Sequence, residues 1–242
     1  MAADHDDGWA PPVHRLSRPD APTEAINLNV GGRRVAGPIQ GFGRLWQKTY
    51  RVPLGDHVGP AEAVATWRRD FGTFWPEGSR FYAPLTGLAP GEVALLNLTM
   101  PGGLELSTGV LVLYADDEGF TLMTPEGHQF AGWITFSAFA GPDGTVAQAQ
   151  VLMRASDPLY ELGMAFGGHR VEDRFWTATL TALALSFGVV TPQVDARSEC
   201  MDKRRQWRRV GNVRRNAMVS SAAHRARHVG RRRPRSGGAV TR

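Results

Sequence analysis

Apolar and polar positions along this chain change period in a definite order. From Leu45 to Leu54, Trp46, Lys48, Tyr50, Val52 and Leu54 alternate with Leu45, Gln47, Thr49 and Arg51, the period-two pattern of a strand. Gly59-Pro60 then opens a helix, with Pro60 suited to the first turn and Val64, Trp67 and Phe71 recurring at helical spacing. Phe74-Trp75-Pro76 ends it, and Trp67, Phe71, Phe74, Trp75, Phe81 and Tyr82 crowd the stretch into an aromatic plug.

A strand series follows. Glu92–Met100 places Ala94, Leu96, Leu98 and Met100 on one face, whereas Thr108–Ala115 is apolar on both, as a covered central strand is. Asp116-Asp117-Glu118-Gly119, Pro125-Glu126-Gly127 and Gly141-Pro142-Asp143-Gly144 are turns. They separate Phe120–Thr124, Gln129–Phe139 and Thr145–Arg154, and links this short require antiparallel neighbours. Asp157-Pro158 caps a short helix over Leu159–Phe166, Gly167-Gly168 breaks it, and a longer helix runs from His169 to Phe187, with Gly188 beyond its end. That helix bears two apolar strips, one of Trp176, Leu180, Leu183 and Phe187, the other of Val171, Phe175, Ala178, Ala182 and Leu185. The predicted fold is α+β: a curved antiparallel β-sheet gripping a long C-terminal α-helix. The predicted organisation is a disordered segment 1–25, a domain 26–202 and an Arg-rich tail 203–242, partly helical or disordered.

Charge sharpens that division. The net +5 combines 14 basic and 23 acidic residues in 1–202 with 14 basic and no acidic residues in 203–242. Within the tail, Trp207, Val210, Arg214, Met218 and Ser221 fall on one helical line, so 203–227 reads as a basic amphipathic helix. Such a tail either attracts an anionic membrane surface or nucleic acid, or is a solvated extension. The one cysteine, Cys200, excludes an intrachain disulfide and a multi-cysteine zinc site. Residues 1–25 lack the apolar core of a secretory signal and no run of about 18 apolar residues occurs, so a cytoplasmic protein is expected.

The order strand, aromatic-ended helix, consecutive antiparallel strands and long helix, with the segment LSTGVLVLYADDEGFTLMTPEGHQFAGW, resembles the START-like, or helix-grip, ligand-binding superfamily. That superfamily includes lipid-transfer domains, polyketide cyclases and the birch-pollen allergen type. The resemblance covers roughly residues 42–188 and is nearest to uncharacterised actinobacterial members. It implies a hydrophobic cavity between sheet and helix, binding a small apolar molecule or lipid, and no catalytic motif transfers with it. No cofactor and no metal are expected.

Small side chains agree with a cavity, since Ala94, Gly132, Ala147 and Ala149 leave volume that Leu or Ile would fill in a solid core. Either large side chains such as Trp133, Trp176 and Phe187 take that room or a ligand does. The expected lining is Leu96, Ala147, Ala149 and Met153 from the sheet, with Trp133, and Trp176, Leu180 and Leu183 from the helix. Tyr50, Tyr82 and Tyr114, with Arg154, would supply polar tips.

His169, Glu172 and Asp173 share one helical turn, the spacing of a metal set or of a base with its orienter. Without further ligands nearby, they read as an exposed helix start whose acids pair with Arg170 or Arg174. His128 reads as a solvated turn histidine or as a pocket-rim residue beside Glu126. An acid–base enzyme of the cyclase, dehydratase or hydrolase kind remains the alternative, and it requires a histidine or carboxylate within reach of a tyrosine.

Overall fold

Period-two segments need partners for their backbone groups, and here they pair into one sheet. The computed structural model describes residues 8–22, 24–26 and 28–231. Its strands are β1 (Leu45–Gly55), β2 (Arg80–Tyr82), β3 (Val93–Met100), β4 (Leu104–Ala115), β5 (Gly119–Met123), β6 (Phe130–Gly141), β7 (Gly144–Ala155) and β8 (Asp195–Asp202). The spatial order is β2-β3-β4-β5-β6-β7-β1-β8, antiparallel throughout, with β2 and β8 as the two edges. Helices α1 (Pro60–Arg69), α2 (Pro158–Gly163) and α3 (His169–Ser186) follow the predicted starts, and α4 (Ala217–Arg231) lies in the tail. This is a curved, unclosed helix-grip sheet with α1 and α3 on the concave side.

Strand register fixes what the concave face carries. Tyr50 pairs with Ala149, Ala149 with Phe136 and Phe136 with Phe120, so one row crosses β1, β7, β6 and β5. The next row is Lys48, Val151, Ile134 and Leu122. α1 lies over β6 and β7, and its wholly buried Trp67 meets Phe136 edge-on at 5.0 Å. Phe71 joins them, its ring 4.8 Å from both Phe136 and Phe81. The small side chains Ala138, Ala147 and Ala149 thus face a helix that brings its own tryptophan. One strip of α3 closes the core through Leu180, Leu183 and Ala184, while Val171 and Leu185 of the other strip reach the surface.

Turn chemistry matches the links. Asp116 Oδ1 accepts from the Glu118 and Gly119 amides between β4 and β5. Asp157 Oδ1 accepts from the Leu159 and Tyr160 amides and caps α2. Gly144, at φ +109, opens the β6–β7 strand pair against Gly55, where a Cβ would sit 2.3 Å from the Gly55 carbonyl carbon.

Both termini contribute more than their composition suggests. The outer face of β3–β4 presents Val93, Leu95 and Leu111, and Leu16 and Val30 bury it, Leu16 being 2% exposed. The Ala10 amide donates to the Leu113 carbonyl, and the Ala115 amide to that of Gly8. Residues 8–22, expected to be disordered, therefore cover a strand whose two-sided hydrophobicity required a cover. Residues 1–7 and 232–242, the latter holding most of the Arg231–Arg235 run and the following Ser236-Gly237-Gly238, lie outside the described residues.

The expected single helix over 203–227 is instead two segments that strap the sheet. Arg154, on the outer face of β7, donates to the Gly43 and Arg204 carbonyls at 2.7 and 2.9 Å and pairs with Asp202 at 2.7 Å. Trp207 packs edge-on against Phe42 at 5.4 Å. A 3-10 segment, Trp207–Arg215, follows, and Asn212 Nδ2 donates to the Gln40 and Ser156 carbonyls. Asn216 ends this segment and caps α4, its Oδ1 accepting from the Met218 and Val219 amides and its Nδ2 donating to Asp157 Oδ2 at 2.8 Å. α4 then lies along β4, where the Ser107 amide donates to Ser221 Oγ. Asn216→Ala deletes a cap and strands a buried carboxyl oxygen, so it is expected to cost about 2 kcal/mol in chemical denaturation. A loss under about 0.5 kcal/mol, the level of a neutral surface change, would show that the strap does not bear on stability.

Candidate functional site

A lysine on the core face of a strand has to find compensation, because a buried unpaired ammonium costs several kcal/mol. Lys48 is such a residue: alternation turns it inward with Trp46, Tyr50 and Val52, and its side chain is 0% exposed. The first turn of α3 supplies the compensation. Lys48 Nζ lies 2.7 Å from Asp173 Oδ1, 2.8 Å from Glu172 Oε2 and 3.4 Å from the His169 carbonyl. Tyr50 Oη donates to the same Asp173 Oδ1 at 2.7 Å, and the His169 ring packs 4.4 Å from that of Trp46. Asp173, with its side chain 36% exposed, is the cluster's outlet to solvent.

The electrostatics are uneven. Burial pushes the Glu172 carboxyl up to about 7, against the pull of Lys48. Its contact with Lys48 is an ion pair without an aligned hydrogen bond, and both of its oxygens lack a hydrogen-bond partner. Burial, with Glu172 and Asp173 adding to it, drives the Tyr50 phenol far above its usual range. Burial and the Lys48 charge pull His169 down to about 4, leaving a neutral ring whose Nδ1 is buried without a partner. The cluster thus holds an ammonium, a phenol donor, a carboxyl that changes charge near neutrality and two polar groups with unused hydrogen-bonding capacity. Such a set can orient a hydroxyl or carbonyl, or move a proton.

These placements correct the sequence reading of the helix start. Glu172 and Asp173 pair with Lys48 from β1, not with Arg170 or Arg174, and Glu172 is buried. Among the described residues, no group of three or more His, Cys, Asp or Glu is arranged to hold a metal ion. Lys48 went unmarked in the sequence, although a charged residue at an inward position of an otherwise apolar alternation was the available signal.

Of the expected lining, Tyr50, Leu96, Ala147, Ala149, Met153, Trp176, Leu180 and Leu183 belong to the inner core. Tyr82, Tyr114 and Trp133 lie on the opposite face. Phe81 takes the inward position of β2, so Tyr82 packs with the Leu16 cluster outside. An irregularity between Val112 and Tyr114 shifts the parity of β4 and turns Tyr114 out towards Trp9. Trp133 sits between inward Gly132 and Ile134 and stands near Gly37. Arg154 braces the tail rather than an interior ligand. His128 is buried, not solvated; its Nδ1 accepts from the Phe130 amide at 3.0 Å, and burial lowers its pKa to about 4. Cys200 is a free, partly buried thiol on edge strand β8, opposite Trp46.

No family model and no curated protein matches the chain. Among solved structures, it is similar to the di-domain ARO/CYC StfQ from the steffimycin biosynthetic pathway, at 14% identity over 60% of this chain with TM-score 0.46. It spans about half of that protein, 51% of its length. A START superfamily protein from Mycobacterium smegmatis aligns at 18% identity over 62% of this chain and 100% of its own, with TM-score 0.40. Protein Ms6760 from Mycobacterium smegmatis aligns at 11% identity over 65% and 98%, with TM-score 0.43. None of these likenesses reaches a TM-score of 0.5, and the helix-grip description of the fold rests on the chain's own topology.

The charge states predict opposed pH effects. Between 4.5 and about 7 the folded chain holds a proton at Glu172 that the unfolded chain has released, so this group lowers stability as pH rises across that window. His169 and His128, pulled down from 6.5 to about 4, act oppositely: their contribution is full above 6.5 and is lost as pH falls towards 4. Lys48→Met removes the charge that restrains Glu172, so the Glu172 carboxyl titration, followed by carbon NMR, is expected to move above 7. An unmoved midpoint would mean that Lys48 does not govern it.

Proposed function

We propose that this chain binds a small, mainly apolar molecule between the sheet and α3, and that the Lys48–Tyr50–Asp173 cluster receives the molecule's one polar group. The observation that carries this reading is a fully buried ammonium and a phenol at the solvent outlet of an otherwise apolar concave face. The far end of that face is occupied by Trp67, Phe71, Phe120 and Phe136, so the molecule lodges at the β1–α3 end. Entry is by movement at the joint between α2 and α3, where Met164–Gly168 forms a π-type turn with Gly167 at φ +108. Phe166 there is 84% exposed. The polar group is a neutral hydroxyl or carbonyl, because Lys48 already faces two carboxyl groups.

Naphthol and naphthalene, titrated against tryptophan fluorescence and native mass spectrometry, test the reading. Naphthol is expected to bind roughly tenfold more tightly than naphthalene, the value of one hydrogen bond to a charged group. Tyr50→Phe and Lys48→Met should each erase that difference, whereas Tyr82→Phe, on the outer face, should not. Absence of saturable binding for both probes would contradict the proposal.

One observation favours a catalytic version of the same site. A carboxyl poised near 7 beside a tyrosine bonded to a second carboxylate meets the requirement for acid–base work on a bound molecule. Glu172→Gln would then abolish turnover while sparing binding. In the basic tail, the exposed cationic side chains include those of Lys203, Arg208, Arg214 and Arg227. Any attraction to anionic vesicles or nucleic acid falls on them and is tested by their replacement with Gln, which leaves the strap intact.

A further inference from the structure

On the outer side of the sheet, far from the Lys48 cluster in chemistry and independent of it, the strap encloses a cavity of about 330 Å³. Four parts of the chain form its wall: the stretch Arg34–Gln40, the β5–β6 turn at Glu126-Gly127, Ala131 with Ser156 beyond the end of β7, and Arg209, Asn212 and Arg215 of the 3-10 segment. Three guanidinium groups therefore meet one carboxylate. Glu126 pairs with Arg34 Nε at 3.3 Å and with Arg215, so a single negative charge is shared between two arginines. Arg33, just beside Arg34, has its pKa lowered by burial and then by Arg215, as expected where positive charge is in excess.

Two hydrogen-bonding groups in this wall are unused. Arg209 Nε is buried without a partner, and so is Ser156 Oγ, on a residue only 3% exposed. Buried donors are rarely left unmet, because each costs about 1–3 kcal/mol. Asn212 donates both of its amide N–H groups, to the Gln40 and Ser156 carbonyls. What the wall lacks is an acceptor carrying about two negative charges and several oxygens.

We infer that the strap cavity is a phosphate-binding site, held by Arg209 and Ser156 with Arg34 and Arg215, for inorganic phosphate or a small phosphate monoester. Three guanidiniums less one carboxylate leave two positive charges, which match a phosphate near its dianionic form at neutral pH. Planar guanidiniums suit its oxygens in paired contacts. The volume, at the low end for ligand pockets, admits the phosphate with a few-carbon body rather than a nucleotide. Because the wall joins the strap to the sheet, a bound phosphate would clamp the C-terminal segment in place.

Calorimetric titration of the full chain with inorganic phosphate and with glycerol 3-phosphate, at constant ionic strength set by chloride, tests this. Saturable binding is expected, weakened roughly tenfold or more by Arg209→Gln and by Ser156→Ala, and changed less than about twofold by Arg225→Gln, a tail arginine outside the cavity. Tighter binding of the monoester would name an ester as the ligand source; equal binding would name free phosphate. The inference is overturned if neither probe saturates by about 10 mM, or if Arg225→Gln weakens binding as much as Arg209→Gln does, which would reduce the effect to diffuse tail charge. Ser156→Ala, which leaves charge and strap contacts unchanged, keeps the test valid if Arg209→Gln fails to fold.

Discussion

The contact between Lys48 and the first turn of α3 is the constraint on which the arrangement turns. A wholly buried ammonium is tolerable only where opposite charge reaches it, and Glu172 and Asp173 can do so only if α3 lies across β1 in one rotational setting. That setting directs Leu180 and Leu183 into the core and leaves Val171 and Leu185 outside. It also brings the Tyr50 hydroxyl onto Asp173 and the His169 ring onto Trp46. Replacing such a pair with apolar residues of similar volume is often neutral or stabilising, so its presence in a core that could be apolar points to use rather than to stability.

The charge asymmetry of the chain takes on a structural meaning. The strongly basic tail is partly consumed by the fold: Arg154 and Asp202 anchor its start, Glu161 meets Arg205, and Glu126 meets Arg215. The acidic excess of residues 1–202 is therefore complementary to the strap that crosses them. Where complementarity stops, at Arg209 and Ser156, the wall keeps unused donors. The two ends of the chain act alike in one respect, since Leu16 and α4 both cover parts of β3–β4 that the meander leaves bare.

Much of the fold was legible because strand alternation and helix caps are local. The starts of α1, α2 and α3 and the strand series could be read within a few residues, and the two-sided hydrophobicity of Thr108–Ala115 announced an outer cover without revealing that residues 8–22 provide it. The site was less legible. Lys48 and Asp173 are 125 positions apart, so nearby Arg170 and Arg174 were the natural partners to assign. Face assignments failed where parity was broken, as at the irregularity that turns Tyr114 outward. Ala147 and Ala149 of β7 did signal spare room, but α1 enters it with Trp67, a pairing that needs the tertiary arrangement to be seen.

The central claim is that the Lys48 cluster is reached from solvent by local movement at the Met164–Gly168 joint between α2 and α3. The chain has only two lysines, Lys48 and the exposed Lys203, so amine labelling reads the buried one against an internal reference. The account predicts that Lys48 is modified through a local opening whose rate is insensitive to low denaturant and which a bound naphthol slows, while Lys203 reacts freely throughout. Labelling of Lys48 that rises with denaturant in step with global unfolding would contradict it, and would leave the cluster a sealed structural ion pair.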